Sequence, residues 1–201
     1  MQARSARSEP QASGVHGLCR RLSAALPAYA RIAWWGLVAP RAPGAQALLV
    51  VQAVILRDAQ VLLAVRSDLR GWELPGGTPH PGESDARALA REVREETGLD
   101  VEILRRVGDY ERSGFRPHLA RVFACRAVGG AERPSEETPC LRWFDVSSLP
   151  ATLFPWYRGP LADALAGHAE PVARREHQGA ARVLAGLTID LRMRISDDTA
   201  L

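Results

Sequence analysis

Glu92, Glu95 and Glu96 stand at i, i+3 and i+4 in a stretch of helical periodicity, which puts three carboxylates on one face of a helix. Like charges so placed repel by roughly a few tenths of a kcal/mol per pair. Arg91, four residues before Glu95, offsets part of this. The simplest remedy for clustered carboxylate oxygens is a hard divalent cation, Mg²⁺ or Mn²⁺. An ion of that kind neutralises anionic oxygens and activates water. The plain alternative is a solvated acidic helix face.

A loop and a helix must hold these residues. Gly76 and Gly77 turn the chain after the apolar Trp72-Glu73-Leu74-Pro75, and Pro81-Gly82 turns it again. Ser84 or Glu83 can cap the helix that follows, Asp85 sits in its first turn, and Gly98 is a C-terminal stop. The spacing predicts a buried stripe of Ala86, Leu89, Ala90, Val93 and Thr97, whose small alanines permit close approach to a sheet. Read from Gly77 to Leu99, the stretch follows G-x5-E-x7-R-E-U-x-E-E-x-G-U, with U aliphatic. Seven fixed identities and two aliphatic sites coincide by chance in about one window in 10⁸.

This stretch resembles the signature of the Nudix hydrolases. The resemblance implies cleavage of a phosphoanhydride in a nucleoside diphosphate linked to another moiety, on a three-layer α/β/α sandwich with a mixed sheet. It further implies that Glu92, Glu95 and Glu96 ligate metal, that the main chain near Gly77 adds a carbonyl, that Glu83 organises the loop, and that Arg91 orients the glutamates. The family often supplies another carboxylate from a later loop, as metal ligand or general base. Glu136 and Glu137 precede the Leu141-Arg142-Trp143-Phe144 run and are placed for it, with Glu137 preferred; a solvated acidic loop is the alternative. One common feature is absent, since the third residue after the second glycine, often acidic in the family, is His80. The resemblance covers roughly residues 47 to 150.

Substrate selection is less legible. Arg66, Arg70, Arg112 and Arg116 are candidates to hold phosphates, and Tyr110, Phe115 and Trp143 to stack on a base. Each has packing or surface exposure as its alternative. His118 reads as a strand-edge residue and not as a base.

Composition bounds the remainder. The chain has 201 residues, 46% hydrophobic and 24% charged, with a formal charge of +3, which suits one globular domain with appendages. It contains no lysine, so all 26 basic residues are arginine, and both a lysine Schiff base and a P-loop lysine are excluded. No basic cluster interleaved with aromatics marks a nucleic-acid surface. Cys19, Cys125 and Cys140 are odd in number and form no CxxC, which predicts reduced thiols in a cytoplasmic protein. No apolar run is long enough to span a membrane.

Along the chain, residues 1–15 read as disordered and 16–44 as a helical arm and linker carrying Trp34-Trp35. Residues 45–168 read as the catalytic domain and 169–201 as an extension containing helix and strand. Ala47 to Leu56 and Val61 to Val65 predict a central hairpin buried on both faces. Strands are expected at Val101–Tyr110, Leu119–Val128 and Leu141–Val146, and a short helix at Pro160–Ala166. In the tail, Ile189, Leu191, Met193 and Ile195 alternate with Asp190, Arg192 and Arg194, the period of a half-buried strand. Such a strand needs a sheet edge, in this chain or in a second subunit, so a homodimer stays open. Two other readings stand beside a metal-dependent hydrolase. One is a nucleotide-sensing domain without turnover, which the intact glutamates oppose; the other is an interaction protein dominated by its arm and tail.

Overall fold

In the computed structural model, residues 48–196 are described, together with Ser23, Leu26, Pro27, Tyr29 and Ala30, all five helical. The expectations for residues 1–15 and for Trp34-Trp35 fall outside the described residues.

The two apolar runs form β1 (Leu48–Arg57) and β2 (Gln60–Val65), an antiparallel hairpin whose turn carries Asp58 at φ 53°. Short β3 (Trp72–Glu73) and β4 (Gly76–Gly77) follow, where the sequence predicts only a turn. The signature forms α1 (Asp85–Thr97). Then come β5 (Leu99–Gly114), β6 (His118–Gly130), β7 (Cys140–Asp145), α2 (Pro155–Ala166), β8 (Val172–Gln178) and α3 (Ala180–Ser196). The sheet runs β3-β2-β1-β6-β5-β8, with β4 on β1 and β7 on β2. It is mixed, because β1–β6 and β5–β8 are parallel and the other pairs antiparallel.

Alternation along β1 divides the core in two. Val51, Ala53 and Ile55 face α1, meeting Ala88, Leu89 and Val93. Val54 joins the opposite cluster with Tyr157, Leu161 and Ala164 of α2 and Met193 of α3. The result is the expected α/β/α sandwich. No described helix is long and apolar enough to cross a membrane.

Three expectations need correction. The buried stripe of α1 is Ala88, Leu89, Val93, Glu96 and Thr97, while Ala86 and Ala90 are exposed. Alanine carries too little apolar area to fix a face; Leu89 and Val93 fix it, and Glu96 is drawn in by a hydrogen bond. Secondly, α2 begins at Pro155, with Pro160 inside it. Thirdly, the alternating tail is helical. Asp190 and Arg194 form a buried i, i+4 ion pair at 2.8 Å, and Gly186, Asp190 and Met193 share the inner face, leaving Leu191 and Ile195 exposed. The outer sheet edge is instead taken by Val172–Gln178, so the tail gives no motive for a second subunit.

Candidate active site

Gly76 and Gly77 pair with Gln52 and Val51, which brings the signature loop onto the sheet. Gly76 has φ +146°, and a Cβ there would lie 2.1 Å from the Val51 carbonyl oxygen, so only glycine fits. A Cβ on Gly77 would lie 2.4 Å from the Glu92 carboxylate, so that carboxylate rests directly on the main chain. Gly76 N–H donates to Glu96 Oε2 at 2.9 Å.

Ser84 caps α1, accepting from Arg87 N–H, and Gly98 ends it in the left-handed conformation at φ 76°. Between loop and helix lies Arg91. Its Nε and Nη2 donate to the two oxygens of Glu83 at 3.1 and 2.9 Å, and Nη1 donates to Glu92 at 2.9 Å and Glu95 at 3.2 Å. The His80 N–H also donates to Glu83, and these contacts hold its carboxyl down to about 2.

The three helix carboxylates do not converge as the spacing predicts. Glu96 is buried, Glu92 half-buried, and Glu95 points to solvent. Among the described residues no three acidic, His or Cys side chains close on one point, since Arg91 draws Glu92 and Glu95 to itself. The donor set nevertheless fits a hard cation: carboxylate oxygens of Glu92 and Glu96 flank a glycine turn with no side chain to block its carbonyl.

Arg66 occupies the acidic side of the site. It pairs with Glu137 at 2.8 Å, Asp68 at 3.0 Å and Glu73 at 3.9 Å. Burial alone would lower its pKa, but the surrounding carboxylates, Glu73 foremost, raise it. Glu73 is pushed up to about 8, mainly by burial and further by Glu96, against the pull of Arg66. Glu96 is pushed up to about 7 by burial, with the Gly76 N–H and Arg66 opposing. Glu137 therefore meets the site through Arg66, while Glu136 is simply exposed.

A cavity of about 440 Å³ opens beside Gly76, Gly77 and Thr78. Of the arginines and aromatics proposed for substrate, Arg66, Arg112, Phe115 and Arg116 line it; Arg70 does not, and its N–H is bound instead to Asp190 at 2.6 Å. Arg112 is 2% exposed and fixed by α2. Pro160 has no N–H to give the Trp156 carbonyl four residues back, and Arg112 Nη2 donates to that oxygen at 2.7 Å. Tyr110 and Trp143 are not base-stacking residues. Tyr110 is fully buried and donates to Asp163, and Trp143 lies under Arg57 with its Nε1–H on Glu132. His118 opens β6 and lines the cavity beside Arg112, and burial depresses its pKa.

Sequence reasoning passed over Glu73, Gln52, Trp156 and Gln178, all in the cavity wall. Only Glu73 left a signal, as a lone carboxylate inside an apolar run.

Comparison with known proteins matches residues 47–164 to the NUDIX domain. A MutT-like protein of Streptomyces ambofaciens is 35% identical over 144 residues, 72% of this chain and 92% of that protein. A putative 8-oxo-dGTP diphosphatase 2 of Mycobacterium tuberculosis is 38% identical over 138 residues, 63% of this chain and 96% of that one. Among solved structures, an ADP-ribose pyrophosphatase from Streptococcus suis superposes with a TM-score of 0.55 at 27% identity, over 65% of this chain and 100% of that one.

Proposed function

Because this chain belongs to the Nudix family and is a pyrophosphohydrolase of that type, we propose that it splits a phosphoanhydride in a nucleoside diphosphate linked to another moiety. Mg²⁺ or Mn²⁺ would be the cofactor, and Glu92, Glu95, Glu96 and the main chain at Gly77 would hold it. The observation that carries this reading is the position of the cavity, directly beside the glycine turn on which Glu92 and Glu96 bear.

A bound ion supplies charge neutralisation and an activated water. The protein does the rest. Arg116 meets the diphosphate oxygens, Arg112 buttresses that wall from behind, and Phe115 packs on the organic part. Water attacks one phosphorus, the bridging P–O bond breaks with its electron pair going to the leaving phosphate, and Glu137 takes the proton. Arg66 positions Glu137 for this at 2.8 Å. The products are a nucleoside monophosphate and the phosphorylated second moiety. Cys125, a buried thiol, suits a reducing cytoplasm. Neither nucleic acid nor a membrane enters the proposal.

The substrates to test are ADP-ribose and 8-oxo-dGTP beside dGTP, after the names of the relatives, together with nucleotide sugars. With Mg²⁺ at least one should release a nucleoside monophosphate; EDTA should abolish turnover, and added Mg²⁺ or Mn²⁺ restore it, while the apo protein stays folded. A nucleotide-sensing domain would bind members of this panel without turnover. If chelation unfolds the protein, the metal is structural and the mechanism above fails.

A further inference from the structure

Residues 172–196 lie beyond the segment matched to the family, yet they build one wall of the cavity. We infer that this extension selects the substrate, with Gln178 of β8 reading the edge of a nucleobase. The inference rests on the reading above and supplies its specificity.

The extension is fastened at several points. β8 pairs in parallel with β5 from Gly108↔Val172 to Gly114↔Gln178. A Cβ at Gly108 would meet the Val172 carbonyl oxygen at 2.4 Å, so the two strands approach only because glycine is there. The Gln178 carbonyl accepts the Phe115 N–H at 3.0 Å, which fixes its main chain at the cavity. α3 then returns against α2: a Cβ on Gly186 would lie 2.9 Å from the Trp156 ring. Its buried Asp190 accepts from the Arg70 N–H at 2.6 Å and the Tyr29 hydroxyl at 2.5 Å, and Arg194 donates to the Asp68 carbonyl at 2.9 Å. The loop carrying Asp68 and Leu69, itself part of the cavity wall, is thus tied to α3.

Two side chains of this cavity wall each have one amide atom without a partner. Gln52 is 4% and Gln178 7% exposed, and among the described residues neither Gln52 Oε1 nor Gln178 Nε2 has a hydrogen-bond partner. Buried polar groups in folded proteins are nearly always paired, so the unpaired amide end of Gln178 in the cavity wall points to an occupant that pairs it. Each amide offers a donor and an acceptor, and its two ends interchange by rotation. Uncharged donor–acceptor groups match the edge of a base; a phosphate has Arg116 to meet it. Trp156, stacked on Phe154 at 4.7 Å and 10°, gives that part of the wall a flat aromatic character suited to a planar ring.

Calorimetric titration in EDTA, with the four common nucleoside 5′-monophosphates and ribose 5-phosphate, separates base reading from hydrolysis. The wild type should bind at least one nucleotide about ten-fold more tightly than ribose 5-phosphate, the worth of roughly one good hydrogen bond. Gln178→Leu should remove that preference and leave ribose 5-phosphate affinity unchanged. A second measurement uses the wild type alone: an analogue of the best-binding nucleotide, stripped of its exocyclic amino or keto group, should bind about ten-fold more weakly. If the preference survives in Gln178→Leu, if the stripped analogue binds equally well, or if no base adds affinity, the inference is overturned. Loss of hydrolysis with base preference intact would instead count against the catalytic reading alone.

Discussion

Arg91 grips both oxygens of Glu83 with Nε and Nη2, at 3.1 and 2.9 Å, and so locks the signature loop to the helix that carries the carboxylates. Lysine keeps the charge but loses the fork. Arg91→Lys is expected to lower kcat by about 100-fold and raise the Mg²⁺ concentration for half activity, with the circular-dichroism spectrum unchanged. A variant within about three-fold of wild type would show that the clasp does not orient the site.

Glu96 and Val93 lie on the same buried side of α1 but differ in what they touch. Glu96→Gln preserves shape and the bond from Gly76, so the fold should survive while the rate falls by orders of magnitude. Near-wild-type turnover with Mg²⁺ would falsify the role given to Glu96. Val93→Asp puts a carboxylate among Val51, Leu62 and Phe123, which should cost about 3 kcal/mol or more and reduce soluble yield as well as activity. Equal melting temperatures for this variant and wild type would contradict the packing.

Gly77→Ala inserts a methyl 2.4 Å from the Glu92 carboxylate. The carboxylate must move, so the half-activating Mg²⁺ concentration should rise at least about ten-fold while kcat at saturating metal changes less. The opposite pattern, an unchanged metal requirement with a lowered kcat, would place Glu92 outside the metal site.

Glu137 pairs with Arg66 at 2.8 Å, whereas Glu136 only faces solvent. As general base, Glu137 should leave KM nearly unchanged in Glu137→Gln while kcat drops, and the deficit should shrink as pH rises and hydroxide substitutes for activated water. As metal ligand it should shift the Mg²⁺ titration instead. Glu136→Gln should do neither. Wild-type behaviour of both variants across pH and Mg²⁺ would reduce the loop to a solvated turn.

Glu73 gives a pH signature of the apo protein. Its folded pKa is raised to about 8 from 4.5, chiefly by burial. Folding therefore favours its protonated form; this stabilisation is fully present below about pH 4.5 and is lost as pH rises to 8. Gln cannot titrate, so the urea midpoint of Glu73→Gln in EDTA should gain on wild type between pH 5 and 8 and change little beyond. A difference independent of pH would mean that Glu73 titrates normally.

Much was legible in the sequence because it is written locally. The loop and the Ser84 and Gly98 ends of α1 fall within one contiguous stretch whose spacing sets them, while the placement of Glu83 against Arg91 is what the resemblance to the Nudix signature implies. The β1–β2 hairpin was equally plain from two apolar runs. What lies far apart was decided by tertiary structure. Ala86 and Ala90 stay exposed because the larger Leu89 and Val93 fix the buried face, and Glu96 is drawn in because a glycine twenty residues away supplies the hydrogen bond. Ile189 to Ile195 alternate as a strand would, but the ion pair of Asp190 with Arg194 and the bonds to Tyr29 and Arg70 favour a helix. Gln178, far from the signature in the chain, carries no motif; only the parallel pairing of β8 with β5 places it in the cavity wall beside Phe115. Local patterns determine which chemistry the chain can perform, and long-range pairing determines which side chains surround the place where it is performed.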